Sequence, residues 1–222
     1  MAAPMPKHPH LRGNHAPIRM ESTAPDCIVH GEIPGELRGT FYRNGPDPQF
    51  APRGMHHWFA GDGMIHAFHI ENGRCAYLNR WVRTKKWELE HAAGESLFAP
   101  FDPMQSDPSV AGIDSTLANT NIVWHGQRLL ALEEGHAPFE MDPITLESLG
   151  EWTFNDALVG PMTAHPKLDP ETGEMLFFGY NAGGPFTPDV RYHVVDKDGV
   201  LTRSDHFLAP VSGMLQDFGT NR

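Results

Sequence analysis

Turn-forming residues punctuate this chain too often for long helices to run through it. Glycine and proline together supply 42 of 222 residues, and each cluster ends the regular segment before it. This predicts many short elements joined by turns and argues against a helical bundle. From Ile28 onward the segments between turns read as strands. Gly39 to Arg43 is closed by Asn44-Gly45-Pro46-Asp47-Pro48. Gly61-Asp62-Gly63 precedes a strand from Met64 to Ile70. Glu71-Asn72-Gly73-Arg74 is a hairpin turn, because Asn-Gly accepts φ > 0 at both central positions, and Cys75 to Thr84 is its return strand. Lys85 to Phe98 reads as a helix or loop, ending in the proline-rich stretch Ala99 to Pro108.

Two later stretches look alike. The first has strands at 121–125, 128–134, 139–141 and 146–154. The second has them at 165–168, 174–181, 191–195 and 200–208. Their starts are 44 residues apart (121 and 165). Four strands repeating at roughly 40–50 residues is the period of a β-propeller blade; a sandwich of regular hairpins shares the pattern. A propeller takes typically 4–8 blades, and this chain offers three or four. It stops at Gly219-Thr220-Asn221-Arg222 straight after a strand-like run, so a partial propeller is expected. Residues 1–26, rich in Pro, His and Ala, read as a loose arm, and residues 27–222 as the propeller part.

Composition narrows the partners. A hydrophobic fraction of 40% with 20% charged residues excludes a disordered chain. A formal net charge of −11 argues against nucleic acid, since nothing here would neutralise a phosphate backbone. Cys27 and Cys75 are too few and too far apart to define a disulfide framework, so a reducing cytoplasm is the expected location. Met1 to Met20 lacks the apolar core of a secretory signal. Runs such as Leu129–Leu132 and Met175–Phe178 are far too short to span a bilayer. Membrane contact, if made, is peripheral and needs an exposed apolar patch.

Fourteen histidines are the main chemical resource. His8, His10 and His15 form a weak metal-binding tract on an arm read as solvated. His56 and His57, and likewise His66 and His69, would face opposite sides of a strand and so not share one ion. His165 opens the second repeat, where an inner strand would aim it at a central channel. Glu133 and Glu134 end an inner strand. A carboxylate there either orients a metal-bound imidazole or is simply solvated. There is no G-x-S-x-G, H-E-x-x-H, P-loop or G-x-G-x-x-G after a strand, so nucleophilic hydrolysis and nucleotide binding find no support.

Several blocks, in order, resemble the carotenoid cleavage oxygenases. They are Phe41-Tyr42-Arg43-Asn44-Gly45-Pro46-Asp47-Pro48, His57-Trp58-Phe59-Ala60-Gly61-Asp62-Gly63-Met64-Ile65-His66, Tyr77 to Thr84, Ala118-Asn119-Thr120-Asn121, Leu129 to Gly135, and Thr163-Ala164-His165-Pro166-Lys167-Leu168-Asp169-Pro170. The match runs from about Pro34 to Arg222. It implies an all-β, seven-bladed propeller, partial here, holding one Fe(II) by four histidines. Such enzymes use O2 to split a carbon–carbon double bond of a carotenoid, apocarotenoid or stilbene, an apolar polyene or aryl substrate. His165 falls on the first iron-binding histidine. Glu134 falls on a glutamate that hydrogen-bonds an iron ligand.

Two departures follow from the same resemblance. The second histidine belongs to a Met-x-His-Asp-Phe block that here reads Met214-Leu215-Gln216-Asp217-Phe218, and a glutamine carbonyl is a weak donor. The third and fourth would lie beyond Arg222. The chain as it stands is therefore expected to be an incomplete, inactive dioxygenase portion. A non-catalytic propeller relative that has lost its metal is the alternative; an unrelated propeller hydrolase or lactonase lacks an acidic ligand cluster. In the stilbene-cleaving branch, a lysine and a tyrosine that grip the phenol would fall at Glu133 and near Phe101. A phenolate facing Glu133 would be repelled, so a less polar polyene or apocarotenoid is expected over a hydroxystilbene.

Overall fold

A computed structural model describes residues 3–220, so Met1, Ala2, Asn221 and the chain end at Arg222 lie outside the described residues. The chain forms two compact units that divide between Asn119 and Thr120.

The first unit holds β1 (Ser22–Ala24), β2 (Gly39–Pro46), β3 (Gly63–Glu71), β4 (Arg74–Trp81) and one α-helix, α1 (Lys85–Ala93). The four strands form one sheet in the order β1-β4-β3-β2. Asn72 and Gly73 close the β3–β4 hairpin at φ 52° and 72°, which a short amide side chain tolerates and the absence of a Cβ permits. The apolar ends of β3 and β4 meet the helix in a cluster of Met64, Trp81 and Trp87. Thr84 caps α1 by accepting the Trp87 N–H at 3.2 Å. The helix stops five residues short of the expected Phe98, because Gly94 turns left-handed at φ 74° and donates to the Glu90 carbonyl at 2.8 Å.

The stretch expected as a loose arm is tied down. Ser22–Ala24 pairs antiparallel with β4, adding the outer strand of the sheet. Fully buried Asn79 accepts the Ser22 N–H and donates to the Met20 carbonyl, both at 2.8 Å. Asp47 takes the Ile18 and Arg19 N–H groups at 2.9 and 3.2 Å. These partners lie 28 to 59 residues downstream, and arm composition carries no trace of them.

The second unit is two four-stranded antiparallel sheets in sequence order. One is β5 (Asn121–His125), β6 (Arg128–Leu132), β7 (Phe139–Met141) and β8 (Ser148–Glu151). The other is β9 (Lys167–Leu168), β10 (Met175–Tyr180), β11 (Asp189–Val195) and β12 (Leu201–Leu208). Asp142 and Asp169 each begin an Asp-Pro-x-Thr turn by accepting backbone N–H groups two and three residues on. The sheets share a core of Leu130, Leu132, Phe154, Met162, Met175, Phe177 and Val195, in which Phe154 and Phe177 stack at 5.8 Å. The three four-stranded antiparallel sheets are the expected blade-type units of an all-β propeller fold.

Candidate functional site

The site in the second unit is built where β6 ends and β9 is about to begin. The segment 161–166 lies directly on β10. Thr163 N–H donates to the Phe178 carbonyl at 2.8 Å, and Asn121 Nδ2 donates to the Ala164 carbonyl at 2.7 Å. A side chain at Gly179 would collide with the Pro161 carbonyl, so only glycine permits this approach. His165 therefore stands before the strand rather than within it. Pro166 has no N–H to give a ladder, and β9 is only Lys167–Leu168.

Glu134 is the pivot. Its Oε2 accepts the hydroxyl of fully buried Thr163 at 3.1 Å, and its Oε1 lies 3.3 Å from His165 Nε2. That second approach lacks hydrogen-bond geometry, and Oε1 is sealed from solvent without a partner. Burial raises the Glu134 pKa. Hydrogen bonds from Thr163 and the Ala164 backbone, with the His165 imidazole, pull it down, while the Asp217 charge pushes it further up. Burial is the largest of these effects and sets the direction. The His165 side chain is 39% exposed. Glu133 is not a solvated strand end: it is buried at 8% exposure and hydrogen-bonded to His136 three residues on. A Glu-x-x-His spacing was the only sequence sign of that pair, and Thr163 had none.

Gln216 is exposed and donates to Met214 Sδ at 3.4 Å. Its neighbours do reach the site: Lys167 Nζ binds Asp217 at 2.6 Å, and Phe218 packs edge-on against Phe178 at 5.3 Å.

The other histidines singled out by the sequence are engaged elsewhere. His56 and His57 are in a loop before a one-turn 3-10 helix, Trp58–Ala60, so the strand-face argument does not apply to them. They go separate ways: His56 packs on His8 at 5.3 Å, and His57 on Phe59 and Phe101 at 4.7 and 4.8 Å. Burial, with the neighbouring imidazoles, lowers His56 to about 4. His66 meets Tyr77 Oη at 2.8 Å, and His69 meets Thr40 Oγ1 at 2.9 Å. Trp58 lies between His10 and His15, at 5.6 and 4.8 Å.

Among the described residues, no group of three or more His, Cys, Asp or Glu side chains is arranged to hold a metal ion. One imidazole beside one carboxylate does not fit a four-histidine iron centre. No helix among the described residues is long and apolar enough to cross a membrane.

The fold of three antiparallel sheets is one that solved oxygenase structures share. The chain belongs to the carotenoid cleavage oxygenase family, matching the family described as retinal pigment epithelial membrane protein over residues 15–221. It is 44% identical over 216 residues to an isoeugenol monooxygenase of Pseudomonas nitroreducens, covering 96% of this chain and 45% of that one. The crystal structure of Pseudomonas brassicacearum lignostilbene dioxygenase superposes with a TM-score of 0.94 at 40% identity, over 98% of this chain and 46% of that one. A cobalt-substituted Synechocystis apocarotenoid oxygenase superposes with a TM-score of 0.72 at 29% identity, over 90% and 44%. The chain thus spans about half the length of these relatives.

Proposed function

We propose that this chain supplies His165 as an iron ligand, and Glu134 as the carboxylate beside the metal centre, of an oxygenase that splits a carbon–carbon double bond with O2 to give two carbonyl products. The observation that carries this is Glu134 standing between Thr163 and His165, at 3.1 and 3.3 Å, in a chain whose relatives are named oxygenases. The sealed Oε1 of Glu134, which lacks a hydrogen-bond partner, suits a carboxylate meant to receive an imidazole N–H. The cobalt-substituted relative supports a metal; iron rests on the family resemblance.

The 222-residue chain alone is read as catalytically incomplete, because one imidazole does not hold Fe(II) against water. The relatives named for isoeugenol and lignostilbene favour an aryl alkene as substrate over a polyene. This reading replaces the expectation of a less polar polyene. The acidic balance leaves no role for nucleic acid. Exposed Phe59, Phe101 and Met104 support peripheral membrane contact. A cytoplasmic location stands on the scarcity of cysteine.

A non-catalytic relative is the second reading, and Gln216 favours it. The test has two arms. Purified chain 1–222 is analysed for iron and for O2-dependent aldehyde release, with neither expected; stoichiometric iron with turnover overturns the incompleteness. The full gene product, supplied with ferrous iron, is assayed side by side on a hydroxystilbene and an apocarotenoid aldehyde. Faster kcat/KM on the stilbene is expected; faster cleavage of the apocarotenoid overturns the substrate choice, and no iron or turnover at all selects the non-catalytic reading.

A further inference from the structure

Cys27 and Cys75 are distant in sequence and meet at the edge of the first unit's sheet. β1 pairs with β4 through Ala24 and Tyr77. Just past that register, the Cys27 N–H donates to the Cys75 carbonyl at 2.7 Å. Arg74 and Asp26 pair alongside at 2.9 Å. That bond sets the two residues side by side, with the Cys75 thiol donating to the Ala76 carbonyl at 3.6 Å. The Cys75 thiol is pushed up by burial, by the neighbouring Cys27 and by a hydrogen bond with Cys27. Both cysteines are free and half-buried. Beyond β1, whose last residue is Ala24, this end of the arm is met by the Arg74–Asp26 pair, which is exposed, where ion pairs contribute little. Ile28, next in sequence, is 88% exposed.

We propose that Cys27 and Cys75 form an oxidisable pair, converted by a small-molecule disulfide of the glutathione type into an intramolecular disulfide that staples the arm to β4. The Cys27 thiolate attacks one sulfur of the reagent, expelling one small thiolate and leaving a mixed disulfide on Cys27. The Cys75 thiolate then attacks the Cys27 sulfur and expels the second. Two protein thiols are oxidised and one small disulfide is reduced to two thiols, the protons lost by Cys27 and Cys75 being taken up, through solvent, by the two expelled thiolates. The raised Cys75 thiol suits the second role: it is the weaker first nucleophile but is held beside the sulfur it must reach.

The folded chain is treated with oxidised glutathione, then alkylated, weighed and digested. The expected result is loss of both free thiols, a mass lower by two hydrogens, and a linked Cys27–Cys75 peptide pair that separates on reduction. Trypsin cleavage at exposed Arg38 should leave the arm attached to the oxidised chain until reductant is added. Cys27→Ser and Cys75→Ser should each stop at a single glutathione adduct. Two adducts on the native chain, or two thiols that remain alkylatable, or a cross-link that forms only in denaturant, would overturn the proposal.

Discussion

Glu134 Oε1 lies 3.3 Å from His165 Nε2, yet it is sealed from solvent and receives no hydrogen bond. Burial accordingly raises the Glu134 pKa in the folded chain. A raised carboxyl contributes stability that is full below its unfolded pKa and lost as pH rises through the folded value. Glu134→Gln keeps an oxygen for the Thr163 hydroxyl and carries no charge to desolvate. The variant's urea midpoint should exceed the parent's at pH 7 and converge with it near pH 4. A parent more stable at pH 7 would contradict this.

Asp47 shifts in the same direction as Glu134. Burial pushes its carboxyl up to about 6, against the pull of the Ile18 and Arg19 N–H groups, and the Asp62 charge adds to the rise. Folded and unfolded chains therefore differ in proton binding between the usual aspartate pKa and about 6. Stability should fall by up to about 3 kcal/mol as pH climbs through that window. In Asp47→Asn the slope over that window should shrink, even though one of the two N–H groups loses its acceptor at a cost of about 1 kcal/mol. Urea titrations from pH 4 to 7 read both quantities.

Lys86 is buried between two carboxylates, 2.8 Å from Asp62 and 2.7 Å from Glu90. The other Glu90 oxygen accepts the Leu97 and Phe98 N–H groups, both at 2.9 Å. Lys86→Met fills similar volume but strands two buried negative charges. The loss should be about 3–5 kcal/mol, seen as a lower denaturant midpoint of the first unit. A change below about 1 kcal/mol would mean the carboxylates take up protons or water instead.

Phe177 is fully buried and stacks on both Phe154 and His193, at 5.8 and 4.8 Å. Phe177→Ala opens a cavity in the core shared by the two sheets of the second unit. It should cost about 3–5 kcal/mol. Hydrogen exchange should report the loss in β6, β10 and β11. Exchange that accelerates only in the first unit would show the core to be wrongly assigned.

What the sequence by itself determined is the local grammar and the lineage. Asn72-Gly73, Asp142-Pro143 and Asp169-Pro170 specify their turns through φ preferences and side-chain acceptors two or three residues away. Strands fall between those turns, and the motif around His165 is contiguous, so each was legible along the chain. The tertiary structure alone decided the pairings that join distant positions. Asn79 with the arm, Asp62 with Lys86, Thr163 with Glu134, and Cys27 with Cys75 leave no periodicity for a sequence to display. Composition read the arm as loose and the glutamates as solvated because burial is a property of what folds over a residue. A carboxylate's pKa and a thiol's partner depend on that same cover, and it forms only when the sheets do.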